Sequence, residues 1–208
     1  MALDRFRSRH LGGSGAIARA LGLSKPWGLG SFGPGSHFGR PRIVKGCGSI
    51  HIGARCFIGG YCWIEAFTEY YGQTFSPRIE IRDDVSFGRF ACITAVDRIT
   101  IGSGTLVSEH FYVSDHSHGF DPLGGPPRRQ PLLPGGAVTV GEQCFIGYRV
   151  SILPGVSLGA NCVVGAHSVV TRSFPARSMV AGAPARMIRR YSDSERRWIP
   201  ATQAGGRE

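Results

Sequence analysis

Ser114-Asp115-His116-Ser117-His118 is the stretch of this chain best equipped for chemistry. Two histidines separated by one residue point the same way from an extended strand. A neutral imidazole is poised near pH 7 to take a proton from an alcohol. A carboxylate beside it can fix the tautomer and stabilise the imidazolium, but adjacent side chains of a strand diverge. Asp115 therefore partners a histidine only where the strand ends at it, and Glu109 and Glu65 are further candidates. His37, His51, His110 and His167 lack such a setting and read as structural. Other chemistries lack their signatures: there is no Gly-x-Ser-x-Gly elbow, no P-loop and no dinucleotide-binding glycine fingerprint.

The elements that must carry these residues follow a ruler of six. From Val140 the chain reads VGEQCF, IGYRVS, ILPGVS, LGANCV, VGAHSV and VTRSFP, with an aliphatic residue opening each hexad. That period fits neither an α-helix nor a simple strand, and predicts a β-solenoid with 18 residues per triangular coil. Regular coils start at Ile52, Ile81, Ile101, Val140 and Leu158, and an irregular first coil is expected around Phe32-Gly33 and Phe38-Gly39. The spacings exceed 18 by 11, 2, 21 and 0 residues. One insertion centres on Tyr70-Tyr71-Gly72; the longer, about 118–137, is rich in Pro and Gly and reads as an ordered flap. Trp63, Tyr70 and Tyr71, near the first insertion, are suited to stacking on a sugar ring. The division expected is a cap over 1–42, the solenoid over 43–175 and a basic tail over 176–208. Arg5 to Leu23 suggests a short basic helix, and Ser192 to Trp198 another.

Composition narrows the possibilities. The chain has 208 residues and a net charge of +10. Residues 1–45 hold eight Lys/Arg against one acid and 172–208 hold eight Arg against three, whereas the middle is slightly acidic. Basic ends favour an anionic ligand or surface. No nucleic-acid motif accompanies that charge, so no nucleic-acid partner is expected. No run of apolar residues reaches membrane-span length, no secretory leader is read, and the cytoplasm is the expected compartment. The six cysteines contain no CxxC; Cys56, Cys62, Cys144 and Cys162 occupy the small, inward fifth place of their hexads and read as core residues.

The segment IGYRVSILPGVSLGANCVVGAHSVVTRSFPARSMVAGAPARMIR resembles the closing part of the hexapeptide-repeat acyltransferases. Within them it is most similar to the maltose/galactoside acetyltransferases and the polysaccharide O-acetyltransferases. The resemblance covers about residues 43–190. It implies an all-β, left-handed parallel β-helix, a homotrimer with sites between subunits, and acetyl-CoA as co-substrate. Handedness rests on the family alone, since general sterics favour right-handed crossovers. The family's catalytic histidine falls on His118 when counted from Val113, and on His116 in relatives with a shorter approach to the loop. Tyr148 and Ala166, then Thr171 and Arg172, match acetyl-CoA contacts; Arg186 and Arg189 match a basic pair near the nucleotide phosphates. Phe145 stands where many relatives have Trp, and Arg172 where Lys is usual. The implied activity is acetyl transfer from acetyl-CoA to a sugar or glycan hydroxyl, with a histidine base and no metal. Two rivals are a zinc hydratase resembling γ-class carbonic anhydrase, for which His110, His116 and His118 are poorly spaced, and a non-catalytic solenoid.

Overall fold

Aliphatic residues at every sixth position become buried columns when the chain turns a corner after each hexad. The computed structural model describes residues 28–201, so the basic helix expected over Arg5 to Leu23 lies outside the described residues. Six coils stack. The first is Ser31–Phe32, His37–Phe38 and Ile43–Lys45; the second Ile50–Ile52, Phe57–Ile58 and Trp63–Ala66; the third Arg78–Ile81, Ser86–Phe87 and Cys92–Ala95. The fourth is Arg98–Ile101, Leu106–Val107 and Tyr112–Ser114; the fifth Val138–Val140, Phe145–Ile146 and Ser151–Ile152; the sixth Ser157–Leu158, Val163–Val164 and Val169–Val170. The first, second and third strands of the coils form three faces, each a parallel sheet across coils.

Register follows the hexads. Ile52 pairs with Ile81, Ile81 with Ile101, Ile101 with Val140, and Val140 with Leu158. These residues, with Ile58, Ile64, Phe87, Ile93 and Phe111, are fully buried in one continuous core. Cys56, Cys62, Cys144 and Cys162 are buried in that core as free thiols. Burial raises the Cys56 and Cys62 thiols above their ordinary value, and Cys144 is pushed up first by its hydrogen bond with the Cys162 thiol and then by burial. Where a glycine follows the buried residue of a hexad it answers to the coil above: a Cβ on Gly88, after Phe87, would lie 2.6 Å from the backbone nitrogen of Glu109.

All the extra residues fall at one corner. From first to second face and from second to third, the step is always one hexad. From third to first it runs Val44 to Ile52, Ile64 to Ile81, Ile93 to Ile101 and Val113 to Val140, and only Ile152 to Leu158 is a plain hexad. The second coil extrudes a hairpin, Glu69–Tyr70 against Gln73–Thr74. The fourth extrudes His116–His118 paired antiparallel with Leu132–Pro134. The flap thus departs from the coil at Asp115.

The C-terminus differs from expectation. Ser178–Gly182 continues the second face, and Ala185–Ser192 and Arg197–Pro200 add to it as antiparallel strands. No helix spans Ser192 to Trp198. The open edge of the sheet offers backbone partners to this segment, and an isolated helix of seven residues is too short to compete. Ser192 Oγ instead accepts from the Glu195 N–H, closing a turn that stacks Trp198 edge-on to Tyr191.

Candidate active site

The strand of the fourth coil ends at Ser114, and the chain re-enters β-conformation at His116. Asp115 sits in the break, so its side chain and that of His116 meet instead of diverging: Oδ1 is 2.9 Å from His116 Nδ1. Asp115 is fully buried. Its Oδ1 also accepts the Val96 N–H at 2.9 Å and its Oδ2 the Asp97 N–H at 2.8 Å. Val96 and Asp97 lie in the two-residue excess of the third coil. That excess widens the corner until two amides point at the carboxylate one coil above. A further hydrogen bond, from the Gly135 N–H to the Asp115 carbonyl, ties the return of the flap to the same residue.

A carboxylate only accepts, so Nδ1 of His116 is the donor to Asp115, which in the neutral ring leaves the lone pair on Nε2. Ser114 Oγ donates to the His116 carbonyl at 2.8 Å and lies 3.2 Å from Nδ1. Phe67, from the first insertion, stands edge-on to the imidazole with ring centres 5.5 Å apart. No protein group bonds Nε2, and no buried side-chain nitrogen or oxygen lacks a partner among the described residues. Nε2 therefore keeps some access to solvent although the His116 side chain is only 8% exposed.

His118 faces the same aromatic wall but is exposed. Its Nδ1 is 3.4 Å from Tyr70 Oη, and the Tyr70 hydroxyl donates to the Arg128 carbonyl at 2.7 Å. Among the described residues no carboxylate is paired with it. Tyr70 packs edge-on against Phe67 and His118 and tilted against Tyr71, whose ring is exposed. Trp63 lies on the third face and donates its indole N–H to Glu65 Oε2 at 2.7 Å; Glu65 is also paired with Lys45. Glu65 is thus committed to Trp63 and Lys45, and Glu109 to Arg89.

The residues matched to the coenzyme divide between two edges of the third face. Thr171 and Arg172 follow Val170, at the same corner as His116 and two coils further along. The Arg172 guanidinium lies over the Phe174 ring. Tyr148 and Ala166 stand at the opposite corner, where the second face turns into the third. A run of rings marks that edge: Tyr61 stacks on Phe90 and Phe90 on His110, and Tyr148 stands edge-on to both His110 and His167. Arg186 pairs in register with Ala181 near this edge, whereas Arg189 pairs with Met179 further back on the second face. The strand and corner between the two edges put them about 15 Å apart, at roughly 3.3 Å per residue. His110 belongs to the ring edge, so it does not converge with His116 and His118. Among the described residues no group of three or more His, Cys, Asp or Glu is placed to hold a metal ion.

A stack of hexad coils interrupted at one corner by extruded loops defines a class, the hexapeptide solenoids. Residues 137–172 match a family model described as the hexapeptide repeat of succinyl-transferase. An Escherichia coli protein named for O-acetyl transfer in lipopolysaccharide biosynthesis, WbbJ, is 32% identical over 167 residues, 77% of this chain and 82% of that one. The galactoside O-acetyltransferase of Escherichia coli is 33% identical over 108 residues, 51% of this chain and 52% of that one. Among solved structures, an N-acyltransferase from Bacillus cereus in complex with dTDP and 3-hydroxybutyryl-CoA matches with a TM-score of 0.66 at 20% identity, over 81% of this chain and 86% of that one. The chain belongs to the hexapeptide-repeat acyltransferase family, with its left-handed parallel β-helix. It is an acyltransferase.

Proposed function

We propose that this protein transfers an acetyl group from acetyl-CoA to a hydroxyl of a sugar or glycan, with His116 as general base. The observation that carries the reading is the dyad: a buried Asp115, fixed by two backbone amides, holds the imidazole of His116 through Nδ1 and leaves Nε2 without a protein partner among the described residues. The acceptor hydroxyl gives its proton to Nε2 as its oxygen bonds to the thioester carbonyl. The tetrahedral intermediate then collapses, the C–S bond breaks, and the leaving thiolate regains the proton from the imidazolium. General-base catalysis of this kind contributes about 10²–10⁴-fold. A backbone N–H would hold the oxyanion, worth about 2.7–4 kcal/mol. His118, Tyr70 and Tyr71 line the approach, where an exposed aromatic ring and an imidazole suit a hydroxylated ring.

Relatives named for O-acetyl transfer in lipopolysaccharide biosynthesis and to galactosides support a sugar acceptor, and a neighbour holding an acyl-CoA supports the donor. The donor contacts are Tyr148, Ala166, Thr171, Arg172, Arg186 and Arg189, with guanidinium groups suited to the coenzyme phosphates. Tyr148 and Ala166 lie on one edge and His116, Thr171 and Arg172 on another, and neighbouring copies of the chain would bring the two sets together around one acyl-CoA. That separation supports a homotrimer in which each site joins the histidine corner of one copy to the ring edge of the next. The cytoplasm, which supplies acetyl-CoA and keeps the six thiols reduced, is the fitting compartment. No helix among the described residues is long and apolar enough to cross a membrane.

The test is thiol release from acetyl-CoA with a panel of sugar acceptors. His116→Ala is expected to lose about 10²–10⁴-fold in turnover, and His118→Ala to act mainly on the KM of the acceptor. Full activity in His116→Ala removes it as the base.

A further inference from the structure

The two large insertions leave the solenoid two coils apart, yet they form one roof. Gln73, in the hairpin of the second coil, donates its amide N–H to the Leu132 carbonyl at 3.1 Å and accepts the Leu132 N–H through Oε1 at 2.7 Å. A single side chain thus satisfies both backbone groups of a flap residue, as a neighbouring strand would. Leu132 is the residue paired with His118 across the flap hairpin, and its side chain is fully buried. Tyr70, three residues before Gln73, adds the hydroxyl bond to the Arg128 carbonyl. Phe67 and Tyr70, on the same insertion, stand against the rings of His116 and His118.

We propose that Gln73 is a positioning residue for acyl transfer: it latches the flap strand Leu132–Pro134 to the first insertion and so fixes the strand that carries His116 and His118. The proposal rests on His116 being the base, but the latch itself can be measured without that reading. An amide suits the place, because it donates from one atom and accepts at another, side by side, and so meets both main-chain groups of Leu132. Without it, the flap remains tied at Asp115 and at the hairpin pairs, and the histidines gain freedom. Misplacement by about 1 Å costs on the order of 10²-fold in rate.

Gln73→Ala and Gln73→Glu are compared with the parent protein by hydrogen exchange and steady-state kinetics. Amides over 116–134 should exchange faster in both variants, while amides of the fifth and sixth coils stay unchanged. Turnover should fall roughly 10- to 100-fold with the KM for acetyl-CoA unchanged. Gln73→Glu, which keeps the acceptor and loses the donor, should fall between the parent and Gln73→Ala. A merely structural role would lower the melting temperature and leave turnover per folded molecule intact. Unchanged exchange over 116–134 overturns the latch. Faster exchange with unchanged turnover overturns the positioning role. His116→Ala serves as the control: full activity there sinks the base assignment, whereas the exchange result still judges the latch.

Discussion

Replacing Asp115 takes the acceptor away from three donors at once, the amides of Val96 and Asp97 and the Nδ1–H of His116. Each buried group left unpaired costs about 1–3 kcal/mol. Asp115→Ala is therefore expected to lose stability as well as activity. Asp115→Asn preserves the shape but turns an N–H₂ towards a donor, so turnover should fall well over tenfold in a protein that still folds. Denaturant melts and turnover of both variants check this, and parent-like values in either would refute the dyad. The core thiols behave differently. Burial raises Cys56 and Cys62, so in the folded state they are held neutral to higher pH. Their contribution is complete below the ordinary thiol value and fades as pH rises through the raised one. Thiol titration should therefore be slow in the native protein and prompt in denaturant, and stability should decline in alkaline solution. Fast native labelling of all six thiols would contradict the packing described.

Among the elements, the coils are rigid counters and the corner beside the third face is where counting stops. Ile93→Ala, in the middle of the buried stack, should cost about 2–5 kcal/mol. Gly88→Ala should also destabilise, because its Cβ meets the backbone at Glu109 and the neighbour cannot withdraw without disturbing the ladder. Thermal melts decide both. The coils were legible in the chain because Ile52, Ile81, Ile101, Val140 and Leu158 announce their own register. The contact between Asp115 and the third coil was not, because its donors are backbone amides, which any residue supplies. Only the two-residue excess marked the place. Gln73 was silent for a similar reason: its partner is the main chain of a residue 59 positions away. Ser192-Asp193-Ser194-Glu195 reads as a helix start, yet the free edge of the second face recruits the segment into a hairpin.

For the whole molecule, the division of functional groups between two edges has a measurable outcome. If each site is shared, mixing His116→Ala chains with chains altered at the other edge, for example Tyr148→Ala with Arg186→Ala, should restore some activity by placing an intact pair of edges at one interface. Light scattering should report three chains per particle. No recovery on remixing, with exchange of chains shown, would place each site within one chain.

The two extra residues of the third coil invite a deletion. Removing Val96 and Asp97 would bring that coil to the same count as the fifth, at the loss of one buried side chain, Val96, and of the Asp97 carbonyl that accepts the Arg78 N–H. The carboxylate above would also be left without its two amides. The variant closest to an ideal repeat should thus be less stable as well as slow to turn over: here perfect periodicity and competence exclude one another, and the irregular count is the part worth keeping.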